Sequence, residues 1–181
     1  MAEKSSAFPF MKKPFIFFII LSIVIILLLP IYALEVKIAK TEATVYQQPA
    51  KLGEQFDIIW THSVTLQPVI ETYRIDQPGK ISLIQMIFDD NGPNLPARPE
   101  YDQKWLIEDG KFIVYNYDLV FEKVPVTIGS LIANHALQYN DTLTYLKEVY
   151  RPGGYVLLAI TKKNIFKYLT QEVEIWLKNQ K

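Results

Sequence analysis

The sequence contains no cysteine and has no excess of either charge. The absence of cysteine excludes disulfide frameworks, thiolate zinc sites and cysteine nucleophiles. The 19 basic residues balance the 19 acidic residues, so bulk electrostatic attraction to nucleic acid is not expected. The sequence also lacks a glycine-rich phosphate loop, a nucleophile elbow and a paired-histidine metal motif. We therefore expect no nucleic-acid partner, no metal and no cofactor.

One long segment lacks charge altogether. Residues Phe15 to Leu34, FIFFIILSIVIILLLPIYAL, are all uncharged. A helix of about 20 such residues, rising 1.5 Å per residue, crosses a hydrocarbon core of about 30 Å. Several lysines precede the segment and only Glu3 opposes them. The positive-inside tendency then predicts a single-pass anchor in the cell membrane, with residues 1–14 cytoplasmic and the main domain extracytoplasmic.

A cleaved signal peptide is the alternative interpretation of the same segment. Ala33 supplies a small residue near its end, but Ile31 is bulky and the apolar run is long for a signal peptide. We favour the uncleaved anchor. Both interpretations export the rest of the chain.

Residues 35–161 alternate apolar and polar side chains and contain no long helical pattern. Segments such as EVKIA, ATVYQQP, EQFDIIWTHSV and KISLIQMIF have the period of two that is typical of strands burying one face. Turn residues separate these segments and predict four hairpins, at DQPG, Asp109-Gly110, Asn140-Asp141 and Pro152-Gly153-Gly154. We predict a mainly β domain, in which an antiparallel meander forms a small sandwich or barrel.

Residues 162–181 change to helical periodicity and predict a C-terminal amphipathic helix. Its apolar stripe consists of Ile165, Phe166, Leu169, Val173, Trp176 and Leu177. Two interpretations of this stripe stay open. The stripe packs on the sheet, which we favour, or it lies on the membrane surface or on a partner.

The stretch WTHSVTLQPVIETYRI, residues 60–75, holds the best candidate site. A hairpin with a two-residue loop would pair His62 with Glu71 and Trp60 with Tyr73. A carboxylate beside an imidazole is an arrangement that orients acid–base groups. Ser63 would point to the other face, because side chains alternate along a strand, so a serine–histidine nucleophile is not expected. The competing interpretation is a structural polar pair.

The segment DDNGPNLPARPEYD, residues 89–102, contains three prolines and a glycine and must be a loop. Asp89, Asp90 and Asn91 carry hard oxygen ligands and complete the set of candidate binding residues. They lack the further acidic residues of a calcium loop, so we favour a solvated loop. His135, the second histidine, stands alone in the sequence.

The chain resembles the DUF1850 family. The resemblance lies in a W-x-H-S-V strand, a following P-x-x-E-x-Y-x-I segment and a G-x-x-L-P loop, here Trp60 to Val64, Pro68 to Ile75 and Gly92 to Pro96. It covers most of residues 35–160, with a weaker echo in VPVTIGSLIANHAL. Family members often have glutamate after HSV, where this chain has Thr65, and a glycine-alanine-glycine loop where it has Gly92-Pro93-Asn94.

The resemblance implies a small anchored or exported domain of the bacterial envelope. Such domains are commonly encoded beside the membrane subunit of TRAP-type transporters with TAXI solute-binding proteins, and no enzymatic activity is assigned to them. Our leading hypothesis is a non-enzymatic binding or accessory module whose partner is such a transporter subunit or its solute-binding protein. Its contact region would be the His62–Glu71 hairpin with the loop at residues 89–99. The alternatives are a small hydrolase or metal-dependent enzyme, with Glu71 as base and His62 as acid or ligand, and a structural envelope protein.

Overall fold

The polypeptide is built mainly from antiparallel strands, as its alternating pattern predicts. The structure, a computed structural model, describes residues 13–90, 92, 93 and 95–180. The helices in this part of the chain are α1 Lys13–Leu28, α2 Leu146–Val149 and α3 Ile165–Asn179. The strands are β1 Pro30–Ile38, β2 Thr44–Ala50, β3 Gln55–Thr61, β4 Pro68–Gln77, β5 Lys80–Phe88, β6 Lys104–Glu108, β7 Lys111–Phe121, β8 Val124–Thr127, β9 Ala136–Tyr139, β10 Thr142–Tyr145 and β11 Tyr155–Asn164.

The strands form two sheets that share one core. The first sheet has the order β2-β1-β11-β8, and the second has the order β10-β9-β3-β4-β5-β7-β6. Leu34 and Val36 from the first sheet and Phe56 and Ile58 from the second belong to one buried cluster. The order departs from a continuous meander, because β1 pairs with β11, β3 with β9 and β5 with β7.

Three of the four predicted hairpins are present. The turns at residues 78–79, 109–110 and 140–141 each join two paired strands. At the second turn both Asp109 (φ 50°) and Gly110 (φ 76°) have the positive φ that a tight hairpin turn requires. The fourth prediction is wrong. The turn containing Pro152 and Gly153 precedes β11, and β10 and β11 lie in different sheets, so this turn carries the chain from one sheet to the other.

The apolar N-terminal segment does not continue as one helix to Leu34. Helix α1 ends at Leu28 and β1 begins at Pro30. Proline has no N–H to donate to a helical bond, and it restricts the preceding residue to extended backbone. No helix within the described residues is long and apolar enough to cross a membrane. The predicted cytoplasmic segment lies outside the described residues, except for its last two residues.

The predicted C-terminal helix is present as α3. It begins after Asn164, whose side chain accepts a hydrogen bond of 2.8 Å from the Lys167 backbone N–H and so caps the first turn. The favoured interpretation of its apolar stripe is wrong, because most of the stripe faces away from the sheet. The exposed fraction lies between 49% and 60% for Phe166, Leu169, Val173, Trp176 and Leu177.

Candidate functional site

The turn between β3 and β4 differs from the sequence prediction. The predicted pairing of His62 with Glu71 is wrong, because Glu71 lies opposite Ile58. The strands separate after residue 61, and residues 62–67 form a longer loop than the predicted two-residue turn. The observed register of β3 and β4 differs from the predicted one by four residues. Because four is an even number, Glu71 stays on the predicted face of the sheet, which it shares with Trp60, but it lies opposite a different residue.

His62 holds this loop together through its ring. The side chain is 3% exposed, and its Nδ1 accepts the backbone N–H groups of Val64 and Thr65 at 3.3 and 3.1 Å. An accepting Nδ1 carries no proton, so the ring proton is on Nε2, which donates to the Pro93 carbonyl at 2.9 Å. Ser63 is exposed and is not a hydrogen-bond partner of the ring. Both ring nitrogens therefore hold backbone groups in place.

The loop at residues 89–102 docks against the same histidine. A Cβ added to Gly92 would lie 2.5 Å from Cε1 of His62 and 2.9 Å from its Nε2, so only glycine allows this approach. Leu95 is buried beside Phe88 and donates its backbone N–H to the Gly92 carbonyl at 3.1 Å. We refer to His62, Gly92 and Pro93 as the loop clamp.

The acidic candidates at the start of this loop do not belong to the loop clamp. Asp89 is half-buried, Asp90 is exposed, and Asn91 lies outside the described residues. Among the residues that the structure describes, no group of three or more histidine, aspartate or glutamate side chains is placed to hold a metal ion.

Glu71 forms the centre of a second group of side chains. The Trp60 indole N–H donates to Oε1 at 3.1 Å, and the Tyr73 hydroxyl donates to Oε2 at 2.5 Å. Tyr73 lies opposite Phe56 instead of the predicted Trp60, yet both donors reach the carboxylate because they share its face of the sheet. Three of the predicted site residues are thus brought together. The fixed carboxylate retains acceptor positions, since an ionised carboxylate has about four.

Two residues that the sequence analysis did not assign to the site join Glu71. Tyr117 of β7 has a buried hydroxyl without a hydrogen-bond partner among the described residues, and burial followed by the Glu71 charge raises its pKa. His135 stacks on Trp60 with ring centroids 6.0 Å apart. Burial lowers the pKa of His135, while a hydrogen bond with the Ala133 backbone and the Glu71 charge offset part of this effect.

The order of the strands along the chain does not indicate that Tyr117 and His135 lie near Glu71. β5 lies between β4 and β7 in the sheet, and His135 reaches Trp60 only because β9, which follows it, pairs with β3. The one available signal was that His135 is one of only two histidines in the chain.

Trp60, Glu71 and His135 line an open cleft of about 330 Å³ between the two sheets. Its polar groups come from Glu71, His135, Ser63 and Thr127, and Trp60 supplies an aromatic surface. We call this feature the Glu71 cleft. A carboxylate beside aromatic rings suits a cation or another hydrogen-bond donor with an apolar part, because the carboxylate accepts and the rings attract positive charge.

Exposed apolar side chains also occur in two segments that contribute to the lining of the cleft. They come from the loop at residues 62–67 and from the segment before β9, which are neighbours because Ala136 pairs with Ile59. Val64 and Leu66 are exposed in the first, and Leu131, at 93% exposed, projects from the second. Exposed apolar side chains next to a polar cleft are a feature of protein interaction sites.

Comparison with known proteins gives one match. A family model described as "Domain of unknown function (DUF1850)" matches residues 56–146, which include the loop clamp, Glu71 and His135. No curated protein and no solved structure matches the chain.

Proposed function

The chain belongs to the DUF1850 family, and we propose that it is a membrane-anchored accessory module that binds a partner through the Glu71 cleft and does not catalyse a reaction. In this proposal it is a small sandwich held on the outer face of a bacterial cell membrane by the apolar side chains of α1, while residues 30–34 of the predicted anchor belong to β1. The observation that carries the binding role is the Glu71 carboxylate, fixed by Trp60 and Tyr73 in the wall of an open cleft.

The alternative enzyme, with Glu71 as base and His62 as acid, has less support. Nδ1 of His62 accepts two backbone N–H groups and its Nε2 donates to a backbone carbonyl, so neither nitrogen is directed to a substrate. The binding role instead uses what the cleft presents, which is a fixed carboxylate, an aromatic surface and exposed apolar side chains on the adjoining segments. A lysine or arginine side chain of a partner protein would satisfy all three.

The position of the cleft in the fold favours a partner outside the bilayer. Helix α1 leads into β1 where Pro30 pairs with Asn164, and Thr127 of the cleft pairs with Tyr155 at the other end of β11. These ends are nine residue steps apart along β11, or about 30 Å at 3.3 Å per residue. If α1 is in the membrane, the cleft lies up to about this distance from the lipid surface.

Membrane attachment is supported by the surface of α1. Every described side chain from Phe15 to Leu28 is exposed except Leu27, which is half-buried, and almost all of them are apolar. An exposed apolar surface of this extent requires a covering. The corresponding test is alkaline carbonate extraction of membranes that contain the full chain. Retention in the membrane pellet is expected, and release into the supernatant would refute the anchor.

The partner hypothesis comes from the family resemblance, and co-purification tests it. The full chain is recovered from native membranes as the wild type, as Glu71→Gln and as Glu54→Gln. Glutamine keeps the size of Glu71 and one acceptor oxygen but removes its charge. Glu54 is a matched control, because it also accepts a hydrogen bond from a tyrosine, Tyr139, but lies at the opposite end of β3 from Trp60.

We expect the wild type and Glu54→Gln to recover a TRAP-type membrane subunit or solute-binding protein, and Glu71→Gln to lose it. Equal recovery by all three proteins would refute the role of the cleft. Failure of the wild type to recover any transporter component would refute the accessory role itself.

A further inference from the structure

Helix α3 is amphipathic, but its apolar stripe is turned away from the protein. Residues three or four apart share a face of a helix, and here three faces can be distinguished. One face contains the half-buried Ile165, Tyr168, Gln171, Glu172 and Ile175. The second consists of the exposed members of the apolar stripe, Phe166, Leu169, Val173, Trp176 and Leu177. The third carries the exposed Lys167, Thr170, Glu174 and Lys178.

Polar groups attach α3 to the first sheet. Gln47 of β2 donates to the Tyr168 carbonyl at 2.9 Å, and Lys163 of β11 donates to the Gln171 side chain at 2.6 Å. Lys163 is itself buried and paired with Glu35 of β1. A surface helix of a globular protein normally buries its apolar stripe against the core. In α3 hydrogen bonds fix the helix with that stripe outward.

The exposed stripe begins beside the end of α1, whose surface is also apolar. The backbone N–H of Ile165, the first residue of α3, donates to the Leu29 carbonyl at 3.0 Å, just after the end of α1. Pro30 and Asn164 pair at the same edge of the sheet. Helix α1 therefore ends where α3 begins, and both present apolar side chains outward there.

We propose that α3 lies in the headgroup region of the bilayer that holds α1, with the stripe from Phe166 to Leu177 in contact with acyl chains. This inference rests on the proposed membrane attachment. The composition fits an interfacial helix, because Trp176 belongs to the stripe and Lys167 and Lys178 lie on the adjoining polar face, where they would meet anionic headgroups. The position beside the end of α1 selects lipid over a second copy of the chain as the covering.

The absence of cysteine in the sequence makes a site-specific test simple. Single cysteines are introduced by Val173→Cys in the apolar stripe, Glu174→Cys on the polar face and Ile20→Cys in α1, and each carries a nitroxide spin label. All three native side chains are exposed, so the label does not have to enter the core. The labelled full chain is placed in vesicles of phosphatidylethanolamine and phosphatidylglycerol. Collision rates with oxygen, which concentrates in lipid, and with a water-soluble nickel chelate are then measured.

We expect labels at residues 173 and 20 to meet oxygen more often than nickel, and the label at residue 174 to show the opposite preference. Equal, nickel-dominated collisions at residues 173 and 174, with oxygen-dominated collisions at residue 20, would overturn the placement of α3 and leave the anchor standing. Nickel-dominated collisions at residue 20 would refute the anchor and, with it, this inference. Spectral broadening between two labels at residue 173, or protection from both reagents, would assign the stripe to a second copy or a protein partner and overturn the lipid assignment.

Discussion

The loop clamp joins two distant segments of the family pattern, and a double-mutant cycle measures its strength. His62 makes three hydrogen bonds to backbone groups, and Gly92 lies against its ring. His62→Ala removes all three bonds and leaves the two N–H groups and the carbonyl without their partner. At about 1 kcal/mol for each net hydrogen bond, the loss is about 3 kcal/mol. For a domain of this size the midpoint of thermal unfolding should fall by about 6–12 °C.

Gly92→Ala perturbs the same contact from the other side. The new methyl group would lie 2.5 Å from Cε1 of His62, and the ring cannot retreat easily because it is buried and bonded at both nitrogens. Overpacking of this kind costs about 1–3 kcal/mol. In the double variant the ring is absent, so the methyl group meets no clash. The double variant should therefore be about as stable as His62→Ala alone, with a coupling energy of about 1–3 kcal/mol.

The measurement is thermal unfolding of the full chain in detergent, followed by circular dichroism, for the wild type, both single variants and the double variant. Hydrogen exchange at the amides of Val64 and Thr65 provides a local readout, since both donate to the ring. Exchange at these two positions should accelerate in both single variants. Additive losses of stability in the double variant would show that a clash between the new methyl group and the ring is not the source of the Gly92→Ala effect.

Other variants test the charged groups. Lys163→Met should reduce the free energy of unfolding by about 3–5 kcal/mol, because it leaves Glu35 buried without its main partner. The double variant with Glu35→Leu should regain most of this stability. Urea unfolding measures both, and an equal loss in the two proteins would contradict the explanation. Burial raises the pKa of Glu35, but the hydrogen bond and charge of Lys163 outweigh it and lower the pKa, so this stabilisation should hold above pH about 4.3 and disappear as the pH falls toward the folded value. The pKa of His135 is lower in the folded state than in the unfolded state, so as the pH falls the unfolded chain binds a proton at a higher pH than the folded chain. The free energy of unfolding should therefore decrease as the pH falls below 6.5, and His135→Gln should remove this decrease. Glu71→Gln removes a charge that raises the pKa of His135 and should lower that pKa further in an NMR titration; an unchanged value would contradict the proximity of the two groups. Tyr73→Phe removes a donor to Glu71 and should reduce the free energy of unfolding by about 1–2 kcal/mol, and an unchanged value would show that this bond is not maintained in solution.

Local turn chemistry predicts where the chain reverses but not which strand it pairs with next. Asp109 and Gly110 have the backbone conformation that their identity indicates, and the strands on either side pair with each other. The turn around Pro152 and Gly153 carries equally strong signals, yet it leads into the other sheet. The difference comes from β11, which pairs with β1 more than 100 residues earlier in the chain, and no local pattern contains that information.

The same limit applies to the candidate site. The sequence predicts one hairpin that contains Trp60, Glu71 and Tyr73, and the alternation of side chains along a strand predicts that they share one face of the sheet. The structure confirms both predictions. The register could not be predicted, because His62 leaves the strand to bind the backbone of its own loop and of residue 93. These are side-chain to backbone hydrogen bonds, and they do not appear in a periodicity of apolar residues.

The clamp also explains the departure from the family pattern at residue 65. Thr65 contributes its backbone N–H to Nδ1 of His62, and its hydroxyl lies 3.2 Å from the same nitrogen. Any residue except proline at this position, including the glutamate that the resemblance implies for other members, supplies the same backbone donor. Gly92 has no such freedom, because every other residue would bring a Cβ into the ring. The substitution at residue 65 therefore leaves the clamp intact. It leaves Glu71 intact as well, because Trp60 and Tyr73 alone supply the two donors that fix this carboxylate.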